Sequence, residues 1–464
     1  MKQKAVLAGL ALATVAWAVP APAHAQAQAA DDAAVREQIA QLRAEMAQMA
    51  QRLEALEGQL ATAAPTAGDA VPMQTMAAAP APTPVEPASP SSTIAWKGAP
   101  VITGPDGWSF KPRGRLQFDA GTVSAPDATG VDDGYGGEVR RARLGVQGDM
   151  PGGFGYKLEI DVAHDTTEVT DALITWERGG ATVTVGQQNP FQGLEELTSS
   201  LFISHLERAA FTDAFGFQRR LGVSLQYARG DVLVQGGVFN DNIDDLPDRN
   251  WSVDGRVVYL PRLGGTQLHL GASIHHAGLE DGSQLRYRQR PLVHFTDQRF
   301  IDTRAMLASA ETGVGLEAAA IAGRFHVTGE TYWQRVDRAA DLADPTFFGG
   351  YAEVGYFLTR GDRRGYKAGI FDRVKPARPL GEGGIGAVQA TLRYDRLDLS
   401  DAEAGIAGGT QDGYIASLIW TPTDYTRLML TYARLQYDDA AVPLADGGRS
   451  YGVDSVGVRG QIDF

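Results

Sequence analysis

Val456-Gly457-Val458-Arg459-Gly460-Gln461-Ile462-Asp463-Phe464 closes the chain, and its reading decides the fold. Val456, Val458, Gly460, Ile462 and Phe464 alternate with Gly457, Arg459, Gln461 and Asp463, a period of two with one apolar and one polar face. The same alternation runs backwards through the chain. Val388, Ala390, Leu392 and Tyr394 interleave with Gln389, Thr391, Arg393 and Asp395, and Leu268, Leu270, Ala272 and Ile274 with Gln267, His269, Ser273 and His275. Tyr156, Leu158, Ile160 and Val162 do so with Lys157, Glu159 and Asp161. A soluble sandwich would alternate too, so a second feature must say which solvent meets which face.

That feature is at the other end. Lys2 and Lys4 precede an apolar run over residues 5–19, and Ala23-His24-Ala25 gives a small-x-small cleavage site, so residues 1–25 read as a secretory signal peptide. No later run of 18 or more apolar residues offers a transmembrane helix. An exported chain ending abruptly on an amphipathic strand with a terminal aromatic looks like a Gram-negative outer-membrane barrel, whose assembly machinery reads that segment. In lipid only a closed barrel pairs every backbone group of a strand. Sixteen or seventeen candidate strands follow residue 108, and bacterial barrels take even numbers. The expectation is an all-β transmembrane barrel of about 16 antiparallel strands over residues 95–464, with water inside.

Ahead of the barrel, Val35, Ile39, Leu42, Met46, Met49, Leu53, Leu56 and Leu60 keep a four-three heptad spacing. So narrow a seam predicts a self-associating, periplasmic coiled-coil helix within residues 26–60 rather than a docked one. Residues 61–94, with seven Pro among Ala, Thr and Ser, read as an extended linker.

Composition narrows function. With no Cys there is no disulfide, thiolate metal site or cysteine nucleophile, and 42 Lys+Arg against 56 Asp+Glu (net −14) exclude wholesale nucleic-acid binding. The 55 Gly suit many turns and close strands. Isolated histidines and the acidic loop Asp241-Asn242-Ile243-Asp244-Asp245 lack the ligand set of a metal site, so neither an enzyme nor a cofactor is expected.

Phe110-Lys111-Pro112-Arg113-Gly114-Arg115-Leu116-Gln117-Phe118-Asp119, Glu138-Val139-Arg140-Arg141-Ala142-Arg143-Leu144, Asp171-Ala172 and Gly186-Gln187 stand in the order of a known family. Leu194-Glu195-Glu196-Leu197-Thr198-Ser199-Ser200 and Leu206-Glu207-Arg208 continue it. The chain from about residue 108 to 464 resembles the phosphate-selective porin O/P family. The resemblance implies a homotrimeric, sixteen-stranded porin in the outer-membrane lipid of a Gram-negative bacterium. It further implies a third extracellular loop folded inward and arginines that lead inorganic anions, phosphate or polyphosphate, to a site. The coil at 35–60 fits trimerisation. A cell-wall tether built on the coil and linker, or a general porin of low selectivity, are the competing readings.

Anions leaving water need fixed donors, and the guanidinium fork matches phosphate oxygens. Alternation sends Arg115, Gln117 and Asp119 into the pore and Leu116, Phe118 and Ala120 to lipid, and likewise Arg141 and Arg143 into the pore. The resemblance carries the pair Arg140 and Arg141 to the anion site, which strict alternation forbids; either a bulge intervenes or Arg140 snorkels at the rim. Arg286, Arg288 and Arg290, at i, i+2 and i+4 of an extended segment, resemble the family's anion-guiding ladder. The stretch from Gly186 to about Arg220 breaks the alternation and is expected to fold into the lumen as a constriction. There Asp171, Ser199 and Arg208 keep their family matches, whereas Glu196 stands where phosphate-selective members carry Lys, which predicts weakened phosphate selectivity. Glu159 and Arg393 are expected to face lumen water and tolerate polar replacement.

Overall fold

The computed structural model describes residues 92–464 except 133, 164, 247–248 and 339–341. They belong to the second of the chain's two compact units, 86–464. The expected signal peptide and coiled coil, and most of the expected linker, lie outside the described residues.

Sixteen strands form the wall: β1 (Ser109–Ser124), β2 (Gly134–Met150), β3 (Phe154–Asp161), β4 (Glu168–Arg178), β5 (Ala181–Gln188), β6 (Arg220–Arg229), β7 (Val232–Phe239) and β8 (Trp251–Tyr259). They continue as β9 (Thr266–Gly278), β10 (Met306–Ala322), β11 (Phe325–Arg338), β12 (Thr346–Phe357), β13 (Ala387–Asp401), β14 (Ile406–Thr423), β15 (Thr426–Asp438) and β16 (Tyr451–Asp463). Each pairs antiparallel with the next. The ring closes because β16 pairs with β1 over Asp454↔Ser124 to Asp463↔Arg115. A short hairpin, Thr93–Trp96 with Pro100–Thr103, adds to the start of β1.

Closure explains a glycine. Phe464 and Gly114 exchange two backbone bonds, at 3.0 and 3.2 Å, and the Phe464 ring occupies the space that a Cβ on Gly114 would need. The terminal aromatic is thus seated on the first strand.

Sidedness follows the sequence period. Leu116, Phe118, Leu144, Leu158, Leu270, Ile274, Leu392, Val458 and Ile462 are exposed on the outside, and Arg115, Gln117, Asp119, Glu159, His269, His275, Asp395 and Arg459 are buried inside. An outer apolar surface around a polar interior is what lipid outside and water inside demand. One end carries short turns, such as 151–153, 179–180 and 323–324, and is the periplasmic end by that rule; Phe464 lies there.

The exception is the turn between β12 and β13, residues 358–386. Its hairpin, Gly365–Lys367 with Ile370–Asp372, folds back into the barrel. Phe371 packs with Leu194, Ala319 and Ile321, the Tyr366 hydroxyl meets His269 Nδ1 at 2.6 Å, and Arg256 donates to the Gly369 carbonyl at 2.9 Å.

Candidate functional site

The segment between β5 and β6 folds into the lumen, as expected. It holds two helical turns, α1 (Leu194–Leu197) and α2 (Ala210–Ala214), and buries Leu194, Ile203, Leu206, Ala209 and Phe211 almost completely. So buried a loop must satisfy its backbone donors, since each one left unpaired costs free energy. Wall carboxylates do this. Glu330 on β11 accepts from Leu194 N (2.7 Å) and Glu195 N (2.8 Å), and Asp395 on β13 accepts from Ala210 N (3.1 Å).

Side chains complete the anchorage. Arg393 on β13 lies between Glu195 (2.5 Å) and Glu353 (2.7 Å), and Ser204 donates to Glu353 at 2.6 Å. His205 Nδ1 meets Ser417 on β14 at 2.7 Å, while Arg427 on β15 and Gln461 on β16 donate to the Leu201 carbonyl at 2.9 and 3.2 Å. Gln117 on β1 donates to the Ser200 carbonyl at 3.2 Å. Arg393 is therefore a buried pin, not the tolerant water-facing position that alternation alone suggests. Alternation sends it inward correctly but is blind to what the loop brings against it.

These pins run from β11 through β16 to β1, and the lumen remains open on the other side. There a cavity of about 900 Å³ follows β1 to β5. Arg113 and Arg115 of β1, Arg140, Arg141 and Arg143 of β2, and Lys157 of β3 give it a cationic wall. The inward loop faces them with Glu196, Glu207, Arg208, Asp213 and Arg219.

The placement of Arg140 is settled by a bulge. Gln117 pairs with Arg141 but Phe118 pairs with Val139, so Arg140 is the extra residue, and the two consecutive arginines both reach the cavity. Arg140 donates twice to Glu207, at 2.8 and 3.1 Å. A second bulge, where Glu159 pairs with Asp171 but Ile160 with Val169, lets Thr170 and Asp171 both turn inward.

Most of the cations are matched. Arg143 meets Asp161 at 2.8 Å and Glu159 at 3.3 Å, and Asp171 receives Lys157 at 2.7 Å and Arg219 at 3.2 Å. Arg208 stands 3.4 Å from Glu196 and donates to the carbonyls of Glu195, Glu196 and Thr198. Arg113, half-buried, bonds only the neutral Gln147 side chain among the described residues. Arg115 and Arg141, both buried, also lack a carboxylate. Arg115 Nη1 donates to Ser200 Oγ at 2.8 Å and Arg141 Nη1 to Gln117 Oε1 at 3.0 Å, both neutral acceptors, and Arg115 Nε is buried with no acceptor. Among the described residues neither makes an ion pair with a carboxylate.

Burial pushes the Glu196 carboxyl up from its ordinary range, against the pull of Arg208. Burial acts the same way on Glu207, yet Arg140, Arg141 and Arg459 together hold its carboxyl well below the usual value. Asp213 is pushed up by burial and by Glu207.

Of the residues expected from sequence, Arg115, Arg140, Arg141, Arg143, Asp171, Glu196, Ser199 and Arg208 all border this one cavity. The triad from 286 to 290 does not follow them as a unit. Arg290 reaches the cavity, but Arg286 and Arg288 are exposed and do not line it; Arg286 is bound to Asp302. Their shared face points to solvent because the intervening Tyr287 and Gln289 take the interior, with the Tyr287 hydroxyl on Glu311 at 2.6 Å and its ring against Phe215 and Phe347. Lys157, Arg219 and Asp213 were not singled out as site residues, and Arg113 and Glu207 stood only within the quoted family stretches. Arg113, two residues before Arg115 on the same face, carried a usable signal.

Comparison with known proteins agrees with the barrel fold. The phosphate-selective porin O and P family matches residues 110–464. A chain from Caulobacter vibrioides, described as an uncharacterized protein, is 46% identical over 98% of this chain and 95% of its own length. Porin O of Pseudomonas aeruginosa is 25% identical, covering 74% of this chain and 86% of its own. The outer membrane channel DcaP of Acinetobacter baumannii superposes with a TM-score of 0.50 at 14% identity, over 78% of this chain and 99% of that one, a likeness of fold.

Proposed function

The chain belongs to the phosphate-selective porin O and P family, an outer-membrane porin rather than an enzyme, and on that premise we propose that it passes small inorganic anions by diffusion with weak selectivity. Phosphate is among those anions. The observation that carries this is the pair Arg115 and Arg141, two buried guanidiniums on one cavity wall held by neutral acceptors and making no ion pair with a carboxylate among the described residues, although Arg141 lies near enough to Glu207 to help hold its charge. An anion stripped of water finds there donors in place of those it lost, and a charged guanidinium fork suits an oxyanion.

Selectivity is weak because the facing loop is acidic. Glu196, Glu207 and Asp213 border the same cavity, so the cationic wall is opposed across the passage. Residues 1–25 serve export in this reading. The protein works as a homotrimer whose barrel contacts supply most of the association energy, with the coil within residues 26–60 assisting.

Reversal potentials across a potassium chloride gradient, measured on the purified channel in planar bilayers, test this reading. A modest anion preference without micromolar phosphate block of chloride current is expected. Cation preference would overturn it, and tight phosphate block would overturn the weak-selectivity half. Crosslinking in mild detergent that captured monomers alone would remove the trimer.

A further inference from the structure

A second group of arginines lies beneath the inward loop, apart from the cavity just described and sharing none of its lining. Leu201 and Phe202 of the loop, the turn 358–386, and the periplasmic ends of β14, β15 and β16 meet around a small void. The space open to the centre of a small occupant there is about 20 Å³, enough for a single small ion or water. Arg364, Arg373 and Arg427 border it, with Asp424 and Asp463.

The charges there do not balance pairwise. Arg373 is bound to Asp463 and to the Asp424 carbonyl, and lies over the rings of Phe202 and Tyr425. Asp463 is thereby occupied, and the half-buried Asp424 carboxylate makes no ion pair among the described residues, so three guanidiniums share two carboxylates. Arg427 gives one N–H to the Leu201 carbonyl at 2.9 Å. Arg364 is only 4% exposed, stacks on Phe371 at 4.5 Å, and leaves both Nε and Nη1 without an acceptor. The nearby Glu353 is committed to Arg393 and Ser204. Neither Arg364 nor Arg427 makes an ion pair among the described residues. A buried guanidinium with idle donors is costly and calls for a partner of opposite charge.

We propose that this void holds a single halide-sized anion, chloride in ordinary salt, bridging Arg364 and Arg427. The anion cross-links the periplasmic turn to the inward loop and the wall, and so fixes the two elements that narrow the lumen. The small space beneath the loop, sharing no lining with the large cavity, separates this structural ion from the permeating ones.

The test is diffraction from crystals of the full barrel in bromide instead of chloride, using bromine anomalous scattering. A peak within contact of the Arg364 and Arg427 guanidiniums is expected, together with its loss in Arg364→Gln and in Arg427→Gln. Wild-type crystals with no anomalous peak there, or with water alone, would overturn the proposal, and this arm does not depend on the variants folding. A peak undiminished in both variants would mark an adventitious ion only and overturn it equally.

Discussion

Arg459 and Asp119 face each other across the seam where the last strand meets the first, joined by two bonds of 2.7 Å. Both side chains are buried, and Arg459 also reaches Glu207 of the inward loop at 3.1 Å. One guanidinium therefore ties barrel closure to the loop that shapes the cavity. Arg459→Leu leaves Asp119 buried without its partner and should cost roughly 3–5 kcal/mol. Refolding titrations in urea measure this; a loss within error of an exposed substitution would contradict it.

The fit of Phe464 over Gly114 makes a steric prediction. Gly114→Ala puts a Cβ into the ring and should reduce the yield of heat-modifiable barrel, and adding Phe464→Ala should restore part of that yield by clearing the space. Deleting residues 458–464 should leave unfolded periplasmic protein, because β1 then lacks its neighbour. A double variant no better than the single one would show that the contact is not what excludes the side chain.

Outward and inward positions should respond differently to charge. Leu158→Arg and Leu392→Arg place a cation against lipid and should each cost ~2–4 kcal/mol near the midplane. Glu159→Gln keeps a polar side chain inside and should be milder. Arg393→Gln should be severe despite its inward position, because Glu195 and Glu353 would lose their shared cation. Refolding midpoints for the four variants give the order, and equal losses at Leu158 and Glu159 would invalidate the register.

How far the sequence could be read depends on what carries each feature. The period of two and the polar–apolar faces are local, so a barrel of about sixteen strands and the sidedness of its faces were legible, whereas the seat of Phe464 on Gly114 joins two ends of the chain and was not. The inward loop was legible as an interruption of that period. Bulges were not, since one inserted residue flips the face of its neighbours without altering composition; Arg140 needed the pairing register. The turn 358–386 reads as an ordinary connection, and its partners His269, Arg256 and Leu194 are far away in the chain. Arg286 and Arg288 do share a face, but which side that face meets depends on Tyr287 finding an aromatic cluster.

Acid should sharpen the anion preference. Burial raises the Glu196 carboxyl, so on lowering the pH from neutral it takes up its proton before exposed glutamates do. The neutral form then removes one negative charge from the cavity. Glu196→Gln should show the stronger anion preference already at neutral pH and lose this part of the titration. A preference that falls with pH, or a Gln variant that titrates like the wild type, would contradict the assignment.

The central claim is that Arg115 and Arg141 give the passage its anion preference. Reversal potential in a potassium chloride gradient, compared between the wild type and the double variant Arg115→Gln/Arg141→Gln, tests it most directly. The account predicts a shift from modest anion preference to no preference or to cation preference, since the remaining cations of the wall are mostly matched by carboxylates. An unchanged reversal potential in a folded, conducting double variant would contradict it.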